Sequence, residues 1–486
     1  MISFSFESIR SIIHKSDRAL ALGNIQAALC NVHDFVERIF TEPLCTSQVF
    51  GSQELDQLCQ RIGSRNLEQI GKIHKDPWPK RIGRPRVFYL VSRLQRSGGH
   101  SRLVQDFIGA QPEKSHFVIS TEIGGPSDVE YFNRVFKEQG NVSFVAARRG
   151  NFHARLTWLQ TLLAGGQPHY VHLFNHHQDS VAVAALVPEL GLTGGFYHHG
   201  DHHLCLGVHL KHLAHVDFHP MGYHYCRDQL GIENCYLPLT AEDKHFFSLQ
   251  TAFTTGGKLT TATAARSNKV EIPYYVSYLD VIPEVLLVTG GRHIHIGKLT
   301  PWALRRMRNR MRKLGISEEK LVYMEWTPSV WKTLQDYQVD VYLASFPYGA
   351  GLTLIEAMGA GIPVIMHQHM YSRVLGGLEL AYPEAFHWSD PAHLLAHLRS
   401  LEPASLFLES GLARRHYQSF HHPAILKTFL KSSEVMQKMP TPPPLKEFKP
   451  RYDEWAAWAA TQLSFKRLAY RFAYRTWRSL RSSSFW

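Results

Sequence analysis

Short apolar runs separated by helix-like stretches recur in two series along this chain, and that rhythm restricts the fold more than any other feature. The first series is RVFYLVSRL, SHFVISTEI, NVSFVAA, YVHLFN and GGFYHH, within residues 86–199. Stretches such as SRLVQDFIGA and DSVAVAALVPELG follow most of them and carry helical character. Strands alternating with helices imply parallel βαβ units. A second series follows YLPLTAEDK and comprises FTTGGKL, KVEIPYYV, EVLLVTGG, LVYMEW, VDVYLASF and IPVIM. At 486 residues the chain is too long for one ordinary core. The expected class is therefore α/β, with two Rossmann-like doubly wound domains facing each other across a cleft and hinged near Leu237–Thr240. Ligands in such sheets sit at the carboxyl ends of the strands.

The flanks read differently. Residues 1–80 form an expected helical region, because Ile9, Ile12, Ile13, then Ala27, Ala28, Val32, then Val36, Ile39, Phe40 recur at three- and four-residue spacing. KDPWPKRIGRPR then breaks the pattern. The two sheet domains are assigned to 81–238 and 239–438, and MPTPPPLKEFKP (439–450) to a proline-rich linker. Residues 451–486 are expected to form a basic amphipathic helix. Arg467, Arg471, Arg475 and Arg478 share one face, and Phe465, Ala469, Phe472 and Leu480 the other. Two readings stand for it: a helix lying on an anionic membrane surface, or one packed on its own domain or a partner with its arginines solvated.

Composition narrows the partners. Hydrophobic content of 44% with 19% charged residues describes a globular chain. The net charge of +12 suits an anionic partner: a nucleotide-sugar, a phospholipid surface or a nucleic acid. No nucleic-acid recognition motif is present, and no nucleic-acid partner is expected. The six cysteines form no CxxC pair and read as buried thiols in a reducing compartment. The start, MISFSFESIRSIIHKSDR, lacks the layout of a signal peptide, and no apolar run reaches the ~18–20 residues that span a bilayer. A cytoplasmic location is the expectation, peripheral at the inner face of the plasma membrane under the first of the two readings of 451–486.

The most informative stretch is SFPYGAGLTLIEAMGAGIPVIM, residues 345–366. A strand ends at Phe346, the loop PYGAG leads into a helix, and IPVIM begins the next strand. Gly349 and Gly351 allow close backbone approach. The first N–H groups of the helix, at Leu352 and Thr353, with the helix dipole and the Thr353 hydroxyl, make an anion site. Glu356, one turn in, is placed to accept hydrogen bonds from ribose hydroxyls. The stretch therefore asks for a nucleotide diphosphate.

This run resembles the donor-site signature of GT-B glycosyltransferases, especially the retaining glycosyltransferase family 4 type, in which a loop, an EAM or EAL helix and a G-x-P-V strand grip a sugar nucleotide. Its FPY start is also similar to the protein O-GlcNAc transferase group. The resemblance implies that Glu356 binds the ribose and that Gly351, Leu352 and Thr353 hold the diphosphate. It makes 239–438 the donor side and 81–238 the acceptor side. The family usually carries a further glutamate that contacts the donor sugar; Tyr348 stands at that position here. Gly98 and Gly99, in QRSGGH after the first strand, match a glycine loop near the phosphates or an ordinary βα turn. Arg266 and Lys269, in TATAARSNKV, match the Arg and Lys that neutralise the leaving diphosphate, with solvated side chains as the alternative. Trp326 and Thr327 either flank the base or belong to the core.

The second unusual stretch is FYHHGDHHLCLG, residues 196–207. YHHGDH comes within one residue of the H-x-H-x-D-H pattern of metallo-β-lactamase-type hydrolases, so a metal site stands beside two other readings. One is structural histidines. The other, implied by the resemblance, is contact with sugar and acceptor: His199 and Asp201 orient donor and acceptor as catalytic residues alongside Lys269, and His198 and His202 touch sugar or acceptor. His209, His212, His215, His219 and His224 read as surface or core residues.

The expected activity is retaining transfer of a sugar from a UDP- or GDP-linked donor, with neither cofactor nor metal. Expected acceptors are glycans or lipid-linked molecules in cell-envelope or polysaccharide synthesis. The alternatives are a protein acceptor, or a GT-B-like binding protein without turnover.

Overall fold

The computed structural model describes residues 8–41, 49–70, 84–96, 99–136, 140–198, 203–244, 257–349, 351–431 and 440–462, with 469, 472, 473 and 476 beyond them. It divides into two compact units, 1–218 with 222–236 and 468–486, and 219–221 with 237–467.

The first unit is built on seven parallel strands: β1 (Arg86–Val91), β2 (Ser115–Ser120), β3 (Val142–Ala146), β4 (Tyr170–Phe174), β5 (Gly194–His198), β6 (Ala214–Asp217) and β7 (Asn234–Tyr236). Their order is β3-β2-β1-β4-β5-β6-β7. Strands covered on both faces read as unbroken apolar runs, and from Val87 onward all of β1 is buried. The order reverses between β1 and β4. Asp179, fully buried just beyond β4, accepts from Ser92 and Thr121 at 2.6 Å each and caps the helix Ser180–Ala185 through Ala182 N–H.

Among the described residues three helices precede the sheet: Ile9–Ala21, Ile25–Thr41 and Gln53–Ile70. Ser8 starts the first by accepting from Ser11 N–H at 3.2 Å. They share one core with the helices Phe152–Gly166 and Ser180–Ala185, where Ile12, Leu29, Leu58 and Ile62 meet Leu159, Val181 and Ala184. Contact is close enough that a Cβ on Gly63 would lie 1.8 Å from the Ala184 carbonyl oxygen. Polar ties run through the same interface. Asp56, fully buried, accepts from the N–H groups of Gly207 (2.7 Å) and His209 (2.8 Å).

The second unit has six parallel strands: β8 (Thr261–Ala264), β9 (His293–Ile296), β10 (Leu321–Met324), β11 (Val341–Leu343), β12 (Val364–His367) and β13 (His387–Trp388). Their order, β10-β9-β8-β11-β12-β13, reverses between β8 and β11. The stretch 440–450 is held along this unit. Lys446 N–H donates to Glu379, and Arg373 lies 5.2 Å from the Phe448 ring centroid. The helix Tyr452–Gln462 docks beside it through Arg451 N–H on the Met370 carbonyl and Trp455 against Tyr371. Of the charged face expected beyond it, Arg467, Arg471, Arg475 and Arg478 lie outside the described residues, as do Phe465 and Leu480; Phe472 is exposed.

Three strand expectations of the second series are corrected. EVLLVT is the end of the helix Tyr278–Thr289, an apolar run buried on most sides. KVEIPYYV holds the short helix Ser267–Val270 followed by bends. The described part of FTTGGKL, residues 257–259, is turn and coil, and its earlier residues lie outside the described set. The strands in their place, β8 and β9, read TATA and HIHI. Among the described residues no helix is long and apolar enough to cross a membrane.

Candidate functional site

The candidate site lies in the second unit, outside the carboxyl ends of β8 and β11. This is the position where strand order reverses and where open α/β sheets take ligands. β11 leads through Ser345, Phe346 and Pro347, joined by a cis peptide between the last two, into Tyr348 and Gly349. The Ser345 hydroxyl donates to the Tyr348 carbonyl at 2.7 Å, and Gly349 N–H donates to the Leu375 carbonyl at 2.8 Å. A Cβ on Gly349 would sit 3.0 Å from two carbonyl oxygens, so glycine is the residue this crossing accommodates.

Gly351 then starts the helix Leu352–Gly359 with no side-chain cap. Its carbonyl takes the N–H groups of Leu354 and Ile355. Those of Leu352 and Thr353 have no acceptor among the described residues, and both residues are half-buried. Two such N–H groups at the positive end of a helix are suited to an anion. The Thr353 hydroxyl points to the sheet: it accepts from Tyr342 at 3.1 Å and donates to the Ala264 carbonyl at 3.4 Å. Tyr342 in turn accepts from Ala264 N–H at 3.2 Å. Thr353 thus fixes the helix start to β8, leaving backbone rather than hydroxyl to face a ligand.

Lys269 comes to the same place from the short helix after β8. Its ammonium donates to the Gly349 carbonyl at 2.8 Å, and its own carbonyl accepts from Tyr348 N–H at 3.3 Å. Burial lowers its pKa to about 8. Arg266, at the N-cap of that helix, is exposed. One cation, Lys269, and a helix N-terminus therefore meet at one strand junction, with Arg266 three residues earlier in the chain.

Glu356 is half-buried one turn into the helix and accepts from Trp331 N–H at 2.9 Å, in the first turn of the helix Val330–Asp336. Trp331 is fully buried against Gly359, where a Cβ would lie 2.1 Å from the indole. The carboxylate is consequently held at a fixed depth behind the helix start. Trp326 is exposed and Thr327 hydrogen-bonds Thr333 at 2.7 Å. Tyr348 is half-buried with its ring 6.5 Å from that of His369, so the position of the family's sugar-binding glutamate presents a phenol here.

In the first unit the expected residues are spread more widely. Gly99 begins the helix Gly99–Gly109 and is exposed; Gly98 lies outside the described residues. His199, Asp201 and His202 also lie outside them. His198 is fully buried at the end of β5, its Nδ1 3.0 Å from Asp217 Oδ1. It is thus enclosed by protein rather than presented to a sugar. His203 is buried with its ring 6.2 Å from that of His177, and burial lowers its pKa to about 4.

Sequence reasoning missed the support behind the site. In the sequence Tyr342 reads as one more apolar residue of VDVYLASF, and nothing in it marks Trp331. A phenol alternating with valine and leucine on a central strand was the available signal, because a buried hydroxyl must find a partner.

No protein-family model matches the chain, and no curated protein sequence matches it. Solved structures do. The lipopolysaccharide outer core galactosyltransferase WaaB is 13% identical, over 73% of this chain and 100% of its own, with a TM-score of 0.52. HepE of Anabaena, in complex with UDP and glucose, is 10% identical over 73% and 100%, with a TM-score of 0.50. The Thermobaculum terrenum O-GlcNAc transferase is 12% identical over 87% and 82%, with a TM-score of 0.47. At such identities the likeness is one of fold, and the fold of this chain is the GT-B fold of glycosyltransferases.

Proposed function

We propose that this chain is a retaining glycosyltransferase that moves a sugar from a UDP- or GDP-linked donor to a glycan or lipid-linked acceptor in cell-envelope or polysaccharide synthesis. The observation that carries the reading is the meeting of the Leu352 and Thr353 N–H groups, which have no acceptor among the described residues, with Lys269 and Glu356 at the β8–β11 reversal. A diphosphate fits the first three and a ribose the fourth. The UDP and glucose of the HepE complex and the galactosyl transfer in the name of WaaB support a nucleotide-sugar donor.

The chemistry follows from charge. The bond between the sugar's anomeric carbon and the β-phosphate oxygen breaks through an oxocarbenium-like state, and negative charge grows on the departing diphosphate. Preorganised donors aimed at that charge are the largest source of rate. Lys269, Arg266 and the helix start supply them, so the step needs no divalent ion. The acceptor hydroxyl then bonds the anomeric carbon on the same face, and its proton passes to the departing phosphate. No protein base is required. His199 and Asp201 are assigned to orienting donor and acceptor. The basic tail suits an anionic membrane surface, where a lipid-linked acceptor resides.

The test is a panel of nucleotide-sugars with the full-length chain, scoring nucleoside diphosphate release. Release from one donor, reduced about 10²–10³-fold by Lys269→Met, is expected for loss of one preorganised contact. Binding without release from any donor would mark a GT-B-like binding protein, and neither binding nor release would overturn the proposal.

A further inference from the structure

The first unit holds a second group of chemically versatile side chains. His198 is the last residue of β5 and Asp217 the last of β6, paired in register across the two parallel strands. His215, two residues before Asp217, points to the same side of the sheet. Cys226 comes from the helix Pro220–Asp228 that follows β6. All four are buried, three of them completely. We propose that His198, His215, Asp217 and Cys226 form a structural site for a zinc-like divalent cation, one that none of the GT-B chemistry above uses.

The distances support this. One donor atom from each residue lies within 4.8 Å of all the others. His198 Nδ1 is 3.0 Å from Asp217 Oδ1 and 3.5 Å from Cys226 Sγ, and His215 Nε2 is 3.2 Å from Asp217 Oδ2. With metal–nitrogen and metal–oxygen bonds near 2.0–2.1 Å and metal–sulfur near 2.3 Å, the edges of a tetrahedron are about 3.3 Å and about 3.6 Å. Around His198 Nδ1, the contacts to Asp217 Oδ1 and Cys226 Sγ fall close to those lengths, while His215 Nε2 reaches the carboxylate's other oxygen at 3.2 Å; the four donor atoms of the set lie within 4.8 Å of one another.

The hydrogen bonding points the same way. His215 Nδ1 lies 3.2 Å from the Val208 carbonyl, which accepts and thereby holds a proton on Nδ1 and turns Nε2 toward Asp217. Buried without a well-formed hydrogen bond, that nitrogen lies 3.2 Å from Asp217 Oδ2, so either a proton or a cation must stand between nitrogen and carboxylate. His198 Nδ1 meets both a carboxylate oxygen and a sulfur, yet one N–H makes only one straight hydrogen bond. A cation at the centre answers both problems. Asn234 donates to Asp217 Oδ2 at 2.6 Å, and with Val208 it supplies the outer contacts that orient metal ligands.

Charge also closes. A divalent ion, one carboxylate, one thiolate and two neutral imidazoles sum to zero, and the thiol proton leaves to solvent on binding. Four protein ligands leave no open position, so the ion ties β5, β6 and the Cys226 segment together and does no chemistry of its own.

The experiment uses the full-length chain without a histidine tag. It is stripped with chelator and titrated with cobalt(II) as the probe. One cobalt per chain is expected, with tetrahedral visible bands and a near-ultraviolet thiolate-to-cobalt charge-transfer band that Cys226→Ser abolishes. Zinc should raise the unfolding midpoint of the stripped wild-type chain. X-ray absorption of the zinc form, which needs no variant, should find one sulfur and three nitrogen or oxygen neighbours. A folded wild-type chain with no stoichiometric ion and no charge-transfer band would overturn the site and leave a proton-bridged His–Asp pair. A zinc shell without sulfur, or a band that survives Cys226→Ser, would overturn it equally.

Discussion

Lys269 works at the edge of its ionisation range. Burial lowers its pKa to about 8, so it is cationic below that pH and increasingly neutral above it. Affinity for a nucleoside diphosphate should therefore fall as pH rises through and beyond 8, since the anion itself draws the pKa upward when bound. Lys269→Met should flatten that limb, and titration calorimetry at several pH values reads it directly; a pH-independent affinity in the wild-type chain would contradict the contact. Glu356 makes a separate expectation. Hydrogen bonds to a charged acceptor contribute about 1.5–3 kcal/mol, or roughly 10–100-fold, and Glu356→Ala should lose that much affinity for the nucleoside diphosphate. Glu356→Gln retains an oxygen for Trp331 N–H and should unfold at the wild-type denaturant concentration, which separates binding from stability.

Two contacts between elements set the limits of tolerated change. Gly359→Ala drives a methyl into the Trp331 indole, and Gly63→Ala drives one into the Ala184 carbonyl. Overpacking of this kind costs about 1–3 kcal/mol, more than alanine's helical preference of about 1 kcal/mol returns. Both variants should shift urea midpoints downward, and an unshifted midpoint would show that the neighbouring helices move apart freely. The elements themselves were unequally legible. β1, β2, β4 and β12 could be read because valine, leucine, isoleucine and phenylalanine fill them. HIHI and AHVD escaped, since their histidines lower the apolar count while lying buried against tyrosine, threonine or aspartate partners. EVLLVT misled for the opposite reason: an unbroken apolar run fits a buried helix as well as a buried strand. The site was legible where its chemistry is backbone, at Gly349, Gly351 and the helix start. It was not where long-range partners decide, as in the hydroxyl of Thr353 turning to Tyr342 or His198 turning to Asp217.

On the scale of the molecule, positive charge is concentrated at the end of the sequence. Lys466, Arg467, Arg471, Arg475, Arg478 and Arg481 fall within residues 463–486, which contain no acidic residue. Deleting 463–486 should abolish co-sedimentation with vesicles rich in phosphatidylserine. Raising the salt to 1 M should weaken wild-type binding, because the screening length shrinks to about 3 Å. Vesicle binding equal in both chains would place the attraction elsewhere. The opposite end has a different bearing on the fold. Gln53–Ile70 lies flush on Ser180–Ala185, every residue of which is buried. A relative that dispensed with the first seventy or so positions would have to recolour VAVAAL in polar residues or recruit another segment to cover it. Comparing that hexapeptide among shorter and longer relatives would therefore reveal which of them inherited the extra layer.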